Sequence, residues 1–134
     1  MTTVLFACIQ NAGRSQMAAA FFNRLADSSK ARGVSGGTAP GVKVHPEVIE
    51  AMHEAGIDLS RAVPRSLDEA LAQSPQLLIT MGCGEACPII PGARTIDWPI
   101  PDPKDKAPDE VRAIRDEIRT RVVALLREHG WLRN

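Results

Sequence analysis

Val4-Leu5-Phe6-Ala7-Cys8-Ile9-Gln10-Asn11-Ala12-Gly13-Arg14-Ser15 decides how this chain reads. Val4 to Ala7 is a short apolar run, β-biased at Val4 and Phe6, that predicts a buried strand. It passes directly into a polar, glycine-containing stretch from Cys8 to Ser15. A strong helix former follows, Ser15 to about Ala26, with Met17, Ala20, Phe21 and Leu25 on one face. A strand-to-helix loop of this kind aims backbone N–H groups at one point, and the helix N-terminus adds partial positive charge. Gly13 allows close backbone approach to a ligand, and Arg14 offers a planar fork that matches two oxygens of a tetrahedral anion. Cys8, at the mouth, is placed beneath the anion's central atom, and the same field favours its thiolate. Ile9, Gln10, Asn11, Ala12, Gly13, Arg14 and Ser15 are therefore the expected oxyanion-binding residues. The Ser15 hydroxyl is positioned to donate to the sulfur, and Asn11 to pin the loop through side-chain-to-backbone bonds. The bland alternative is a cysteine that merely ends a strand before an ordinary turn.

Outward from this loop, strands and helices alternate. Arg32 to Ser35 predicts a second strand, followed by a loop through Gly36, Gly37, Pro40 and Gly41. Pro46 suits the first turn of a helix ending near Gly56. Ser66 and Glu69 have capping-box spacing and open a short helix. Gln76 to Met81 and Ala93 to Ile96 predict a third and a fourth strand. Pro99, Pro101, Pro103 and Pro108 hold an extended loop. From about Asp109 to Glu128 an amphipathic helix turns Val111, Ile114, Ile118, Val122 and Leu125 inward, with Gly130 as its stop. The expected fold is α/β: one domain over residues 1–134, a parallel sheet covered by helices on both faces. Ligands of such doubly wound sheets sit beyond the strands' carboxyl ends, where strand order reverses. If the first and third strands flank that point, Cys8 and Cys83 share its rim.

The bulk numbers narrow the function classes. The chain has 134 residues, 44% hydrophobic and 24% charged, with 16 basic and 16 acidic side chains and zero formal net charge. A neutral chain exerts no general pull on nucleic acid or anionic lipid, so any anion is held by a local device. The N-terminal residues lack the charge pattern of a signal peptide, and no apolar stretch approaches the roughly 18 residues of a membrane span. A cytoplasmic, monomeric protein without nucleic-acid or membrane partners is expected. Three cysteines in that compartment point to chemistry or metal binding rather than structural disulfides. His45, His53 and His129 show no ligand spacing and read as capping or surface residues, so no metal is expected.

The whole chain resembles the low-molecular-weight phosphatase fold and the arsenate reductases built on it. The marks are Cys8-x5-Arg14-Ser15 with Gln16-Met17-Ala18, Ser35-Gly36-Gly37-Thr38, Gly56-Ile57-Asp58-Leu59-Ser60, and Asp102-Pro103. The resemblance implies a four-stranded parallel sheet flanked by helices. It makes Cys8 the nucleophile, Arg14 the oxyanion clamp, Ser15 the thiolate stabiliser and Asp102 the general acid. Asp97 is a rival acid, less favoured because the proline-rich loop can swing Asp102 over the pocket. Ala19, Val63 and Arg65 stand where some relatives bind potassium, so that ion is not expected.

Between phosphatase and reductase, the sequence leans to the second. The phosphatases typically carry tyrosine beside the general acid, whereas this chain has no tyrosine and Lys104 follows Asp102-Pro103. Instead it has Met81-Gly82-Cys83-Gly84-Glu85-Ala86-Cys87-Pro88, similar to the redox pair of thioredoxin-coupled arsenate reductases. On a helix, residues four apart have Cβ atoms about 5–6 Å apart, beyond the roughly 3.8 Å of a disulfide. Bonding is therefore expected to need local rearrangement, eased by Gly82 and Gly84. The implied reaction is arsenate reduction through a Cys8-Cys83-Cys87 relay. No bound cofactor is expected, and reducing equivalents come from thioredoxin or from a small thiol with a glutaredoxin-like partner. Phosphate or sulfate would act as substrate analogues. A phosphatase acting on small phosphoesters and a non-catalytic oxyanion- or arsenite-binding module remain the alternatives.

Overall fold

The apolar run near the start of the chain becomes one of the two inner strands of a four-stranded sheet. In the computed structural model, which describes residues 1–83, 87 and 89–134, β1 (Thr2–Cys8) pairs in parallel with β2 (Ala31–Gly37) and β3 (Leu77–Thr80). β3 in turn pairs in parallel with β4 (Arg94–Asp97), giving the order β2-β1-β3-β4. Strand order reverses between β1 and β3, so the crevice of a doubly wound sheet falls at the carboxyl end of these two strands. The register brings Cys8 opposite Gly37, Ala7 opposite Thr80, and Thr80 opposite Asp97 along that edge.

Period-two alternation sorts the strand side chains between two unequal layers. Val4, Phe6 and Cys8 face α1 (Arg14–Leu25), α2 (Pro46–Glu54) and α4 (Pro108–His129), packing with Met17, Phe22, Met52 and Ile118. Leu5, Ala7 and Leu78 turn the other way, against Ala70 of α3 (Leu67–Leu71) and Cys83. The five residues expected to line the inner face of α4 are all buried, and Gly130 ends that helix at φ +72°. Ser66 Oγ accepts from the Glu69 N–H at 3.2 Å, which is the capping contact that opens α3.

β2 departs from expectation. It does not stop at Ser35 but runs through Gly36 and Gly37, because Gly37 still pairs with Cys8 and its N–H donates outward to Arg65 O at 2.9 Å. The edge strand thus extends until it meets the loop that follows Cys8. Beyond β4, Trp98 packs its ring 5.9 Å from that of Phe6, and Ile100 and Pro103 are also buried. These anchors hold the proline-rich loop over the sheet's carboxyl end.

Candidate active site

The loop from Cys8 to Arg14 is held open by its neighbours. Cys8 O, Ile9 O, Gln10 O and Ala12 O accept hydrogen bonds from the N–H groups of Thr38, Ala39, Gly41 and His45, at 2.8–3.1 Å. Loop carbonyls are thereby committed to the 38–45 segment, the arrangement needed where amides are to gather around an anion. Gly13 is the N-cap of α1 and offers no side-chain cap, and the first turn carries no acidic residue. Nothing from that turn's own side chains competes with an anion for the helix N-terminus.

Asn11 fixes the shape of the loop. It is fully buried and adopts φ +51°, a left-handed conformation that asparagine tolerates better than most residues. Its Oδ1 accepts from the Arg65 N–H at 2.8 Å and from Gln16 Nε2 at 3.0 Å, and its Nδ2 donates to Ser15 Oγ at 2.7 Å. Gln16 Nε2 also reaches Asn11 O and Val63 O. The expected pinning by Asn11 is present, but Gln16 and the 63–65 segment share it. Sequence reasoning gave neither a role in shaping the loop. The only signal was Gln16's place directly after Arg14-Ser15.

Cys8 is a buried free cysteine with its Sγ 2.8 Å from Ser15 Oγ. Asn11 donates to Ser15 Oγ, so the serine keeps its own proton free for the sulfur when Cys8 is ionised. Arg14 is almost wholly buried, and its Nη1 donates to Ile100 O at 3.0 Å. Its Nη2 lies 3.8 Å from Oδ2 of Asp102, whose side chain is 51% exposed. Asp102 Oδ1 accepts from the Lys104 N–H at 3.0 Å. Asp97 is placed differently, accepting from the Thr80 hydroxyl at 2.7 Å. Gly13 proves to face protein: a Cβ there would come 2.9 Å from Pro103 Cγ, so its bareness admits the loop that carries Asp102.

Cys83 and Cys87 are joined as a disulfide with Cα atoms 5.2 Å apart, inside the usual span for such bonds. Gly84, Glu85, Ala86 and Pro88, the remaining residues of that motif after Cys83, lie outside the described residues. Cys83 packs on the α3 side of the sheet with its Sγ 3.9 Å from Ala7 O, whereas Cys8 faces α1. The two cysteines flank one strand end from opposite faces. Among the described residues, no group of three or more His, Cys, Asp or Glu could hold a metal ion, and no helix is long and apolar enough to cross a membrane. His45 is the N-cap of α2, and His129 stacks on Trp131.

Comparison with known proteins agrees with this geometry. Residues 3–130 match the family described as low molecular weight phosphotyrosine protein phosphatase. A Halobacterium salinarum protein, provisionally named an arsenate reductase, is 42% identical over 132 residues, covering 92% of this chain and 89% of the relative. A protein from Staphylococcus epidermidis named arsenate reductase 2 is 34% identical over 124 residues, covering 90% and 92%. The solved structure of a Corynebacterium glutamicum thioredoxin-dependent arsenate reductase superposes with a TM-score of 0.81 at 37% identity. That match covers 96% of this chain and 61% of the longer Corynebacterium chain. The chain belongs to the low molecular weight phosphotyrosine protein phosphatase family.

Proposed function

We propose that this protein reduces arsenate to arsenite, using Cys8 as nucleophile and Cys83 and Cys87 as the redox pair. One observation carries the reading. A buried free cysteine at the oxyanion loop lies at the end of the strand beside β3, from whose end a Cys83–Cys87 disulfide extends. That is the oxidation state in which one turnover of such a relay would leave the enzyme. The names borne by the relatives support it, and a phosphatase acting through the same loop has no use for the disulfide.

Arsenate sits among the amides of Ile9 to Ser15 with two oxygens on the Arg14 fork. The Cys8 thiolate attacks arsenic, and Asp102 protonates the departing oxygen, which leaves as water. Cys83 then attacks Cys8 Sγ; the sulfur–arsenic bond breaks and its electron pair stays on arsenic, reducing it from the +5 to the +3 state. Cys87 attacks Cys83 Sγ next, forming Cys83–Cys87 and releasing Cys8 as thiolate. An external dithiol returns two electrons and two protons to the pair, with thioredoxin as the proposed donor in a cytoplasmic setting. Asp102 is assigned as the acid because it stands beside Arg14 and is open to solvent for reprotonation, whereas Asp97 is engaged by Thr80.

The test is arsenate-dependent NADPH consumption by the purified protein with thioredoxin and thioredoxin reductase. Turnover that requires arsenate, thioredoxin and all three cysteines is expected. Hydrolysis of small phosphoesters that survives loss of Cys83 and Cys87, with no arsenate turnover, would assign the phosphatase alternative instead.

A further inference from the structure

Gly82, which precedes the redox pair, packs against the oxyanion clamp. It adopts φ +91°, a conformation that L side chains rarely take. A Cβ built there would overlap Arg14 Nη1 and lie 2.9 Å from Cζ and 3.2 Å from Nη2. The same Nη1 donates to Ile100 O, and Nη2 faces Asp102. The guanidinium is therefore slotted between the bare Cα of residue 82 and the loop that carries Asp102.

We propose that Gly82 is a positioning residue for the oxyanion clamp: the space left by its missing side chain is the seat of the Arg14 guanidinium. Any side chain at 82 pushes the fork out of register with the loop amides. The inference rests on the reading of Arg14 as clamp given above. It differs from a general need for glycine at a turn, and the fold supplies the control. Gly92 adopts φ +83°, and among the described residues nothing lies within 4 Å of a built Cβ. Gly92→Ala thus imposes a similar backbone demand without a neighbour to displace.

The experiment uses the full chain in its oxidised form, with Cys83 and Cys87 bonded and Cys8 free to react with iodoacetamide. The readouts are the inorganic phosphate concentration that half-protects Cys8, and the melting temperature. Gly92→Ala is expected to need wild-type phosphate, and Gly82→Ala about tenfold more or beyond, the scale of one lost charge-assisted hydrogen bond. Gly82→Ala is also expected to melt below Gly92→Ala. That extra loss should vanish when Gly82→Ala is made in an Arg14→Ala background, because the clashing group is gone. Should Gly82→Ala alone fail to fold, recovery of folding in the Arg14→Ala double variant supports the proposal, and failure of that double variant overturns it. Wild-type protection in Gly82→Ala, or an extra melting loss that persists without Arg14, also overturns it. Arg14→Lys separates the two layers. If it is protected like wild type, the clamp reading itself fails; if it loses protection while Gly82→Ala keeps it, only the present inference falls.

Discussion

Ser15 Oγ lies 2.8 Å from Cys8 Sγ and accepts a hydrogen bond from Asn11 Nδ2 at 2.7 Å, which leaves its own proton free to turn to a thiolate at Cys8. Hydrogen bonds to charged groups contribute about 1.5–3 kcal/mol, on the order of 10- to 150-fold in rate when lost at the attacking step. Ser15→Ala should slow attack of Cys8 on arsenate by that factor in rapid-mix experiments. Asn11→Ala should do so as well while also loosening the loop, since Asn11 Oδ1 holds Gln16 and Arg65. Unaltered attack in Ser15→Ala would remove the serine from thiolate stabilisation.

The two acidic candidates make opposite predictions. Asp102→Asn should slow the first chemical step by about 10²–10⁴-fold, the usual contribution of a general acid, with phosphate affinity largely retained. Asp97→Asn should leave that step near wild type, since its contact is to Thr80. Rapid mixing is the suitable measurement because overall turnover includes reduction by thioredoxin. A large loss in Asp97→Asn with none in Asp102→Asn would reverse the assignment.

Away from the site, Glu54 ties α2 to α4. The side-chain hydrogen bond from Arg112, helped by the charges of Arg112 and Arg115, holds its carboxyl below the ordinary value of 4.5. A depressed folded-state value means that the stabilisation is complete above the unfolded value and is lost as pH falls through the folded one. Glu54→Gln should therefore lower the melting temperature at neutral pH, with the difference shrinking below about pH 4.5. Both partners reach solvent, so the effect should be small and should diminish in high salt. Melting curves from pH 3 to 7 for the two proteins provide the check.

Much of this architecture was legible because its signals are local. The run Val4 to Ala7, the loop that follows and the 3.6-residue period of Val111 to Leu125 each state their element within a dozen residues. That Cys8, Arg14 and Ser15 gather at one loop could be expected from a strand meeting a helix across a short stretch. What stayed hidden depends on partners distant in sequence. Asn11's bond to Arg65, the loop carbonyls taken by residues 38–45, and Arg14's bond to Ile100 all join segments that only the fold brings together. The expectation for β2 stops at Ser35 because Gly36 and Gly37 look like turn residues, and only pairing with β1 keeps them in the strand. Gly82 is expected from sequence only to ease rearrangement of the cysteine pair, since nothing in its neighbours along the chain announces the guanidinium packed on it.

The relay itself is tested most directly by one turnover without external thiol. Fully reduced protein is mixed with excess arsenate, arsenite is counted, and the disulfides are mapped on non-reduced peptides. About one arsenite per protein, a Cys83–Cys87 disulfide and a free Cys8 are expected, the pattern of this structure. Cys87→Ser should give the same arsenite yield but stop at a Cys8–Cys83 disulfide, and Cys83→Ser should release none. Wild-type arsenite yield from Cys83→Ser, or normal cycling of Cys87→Ser with thioredoxin, would contradict the three-cysteine relay.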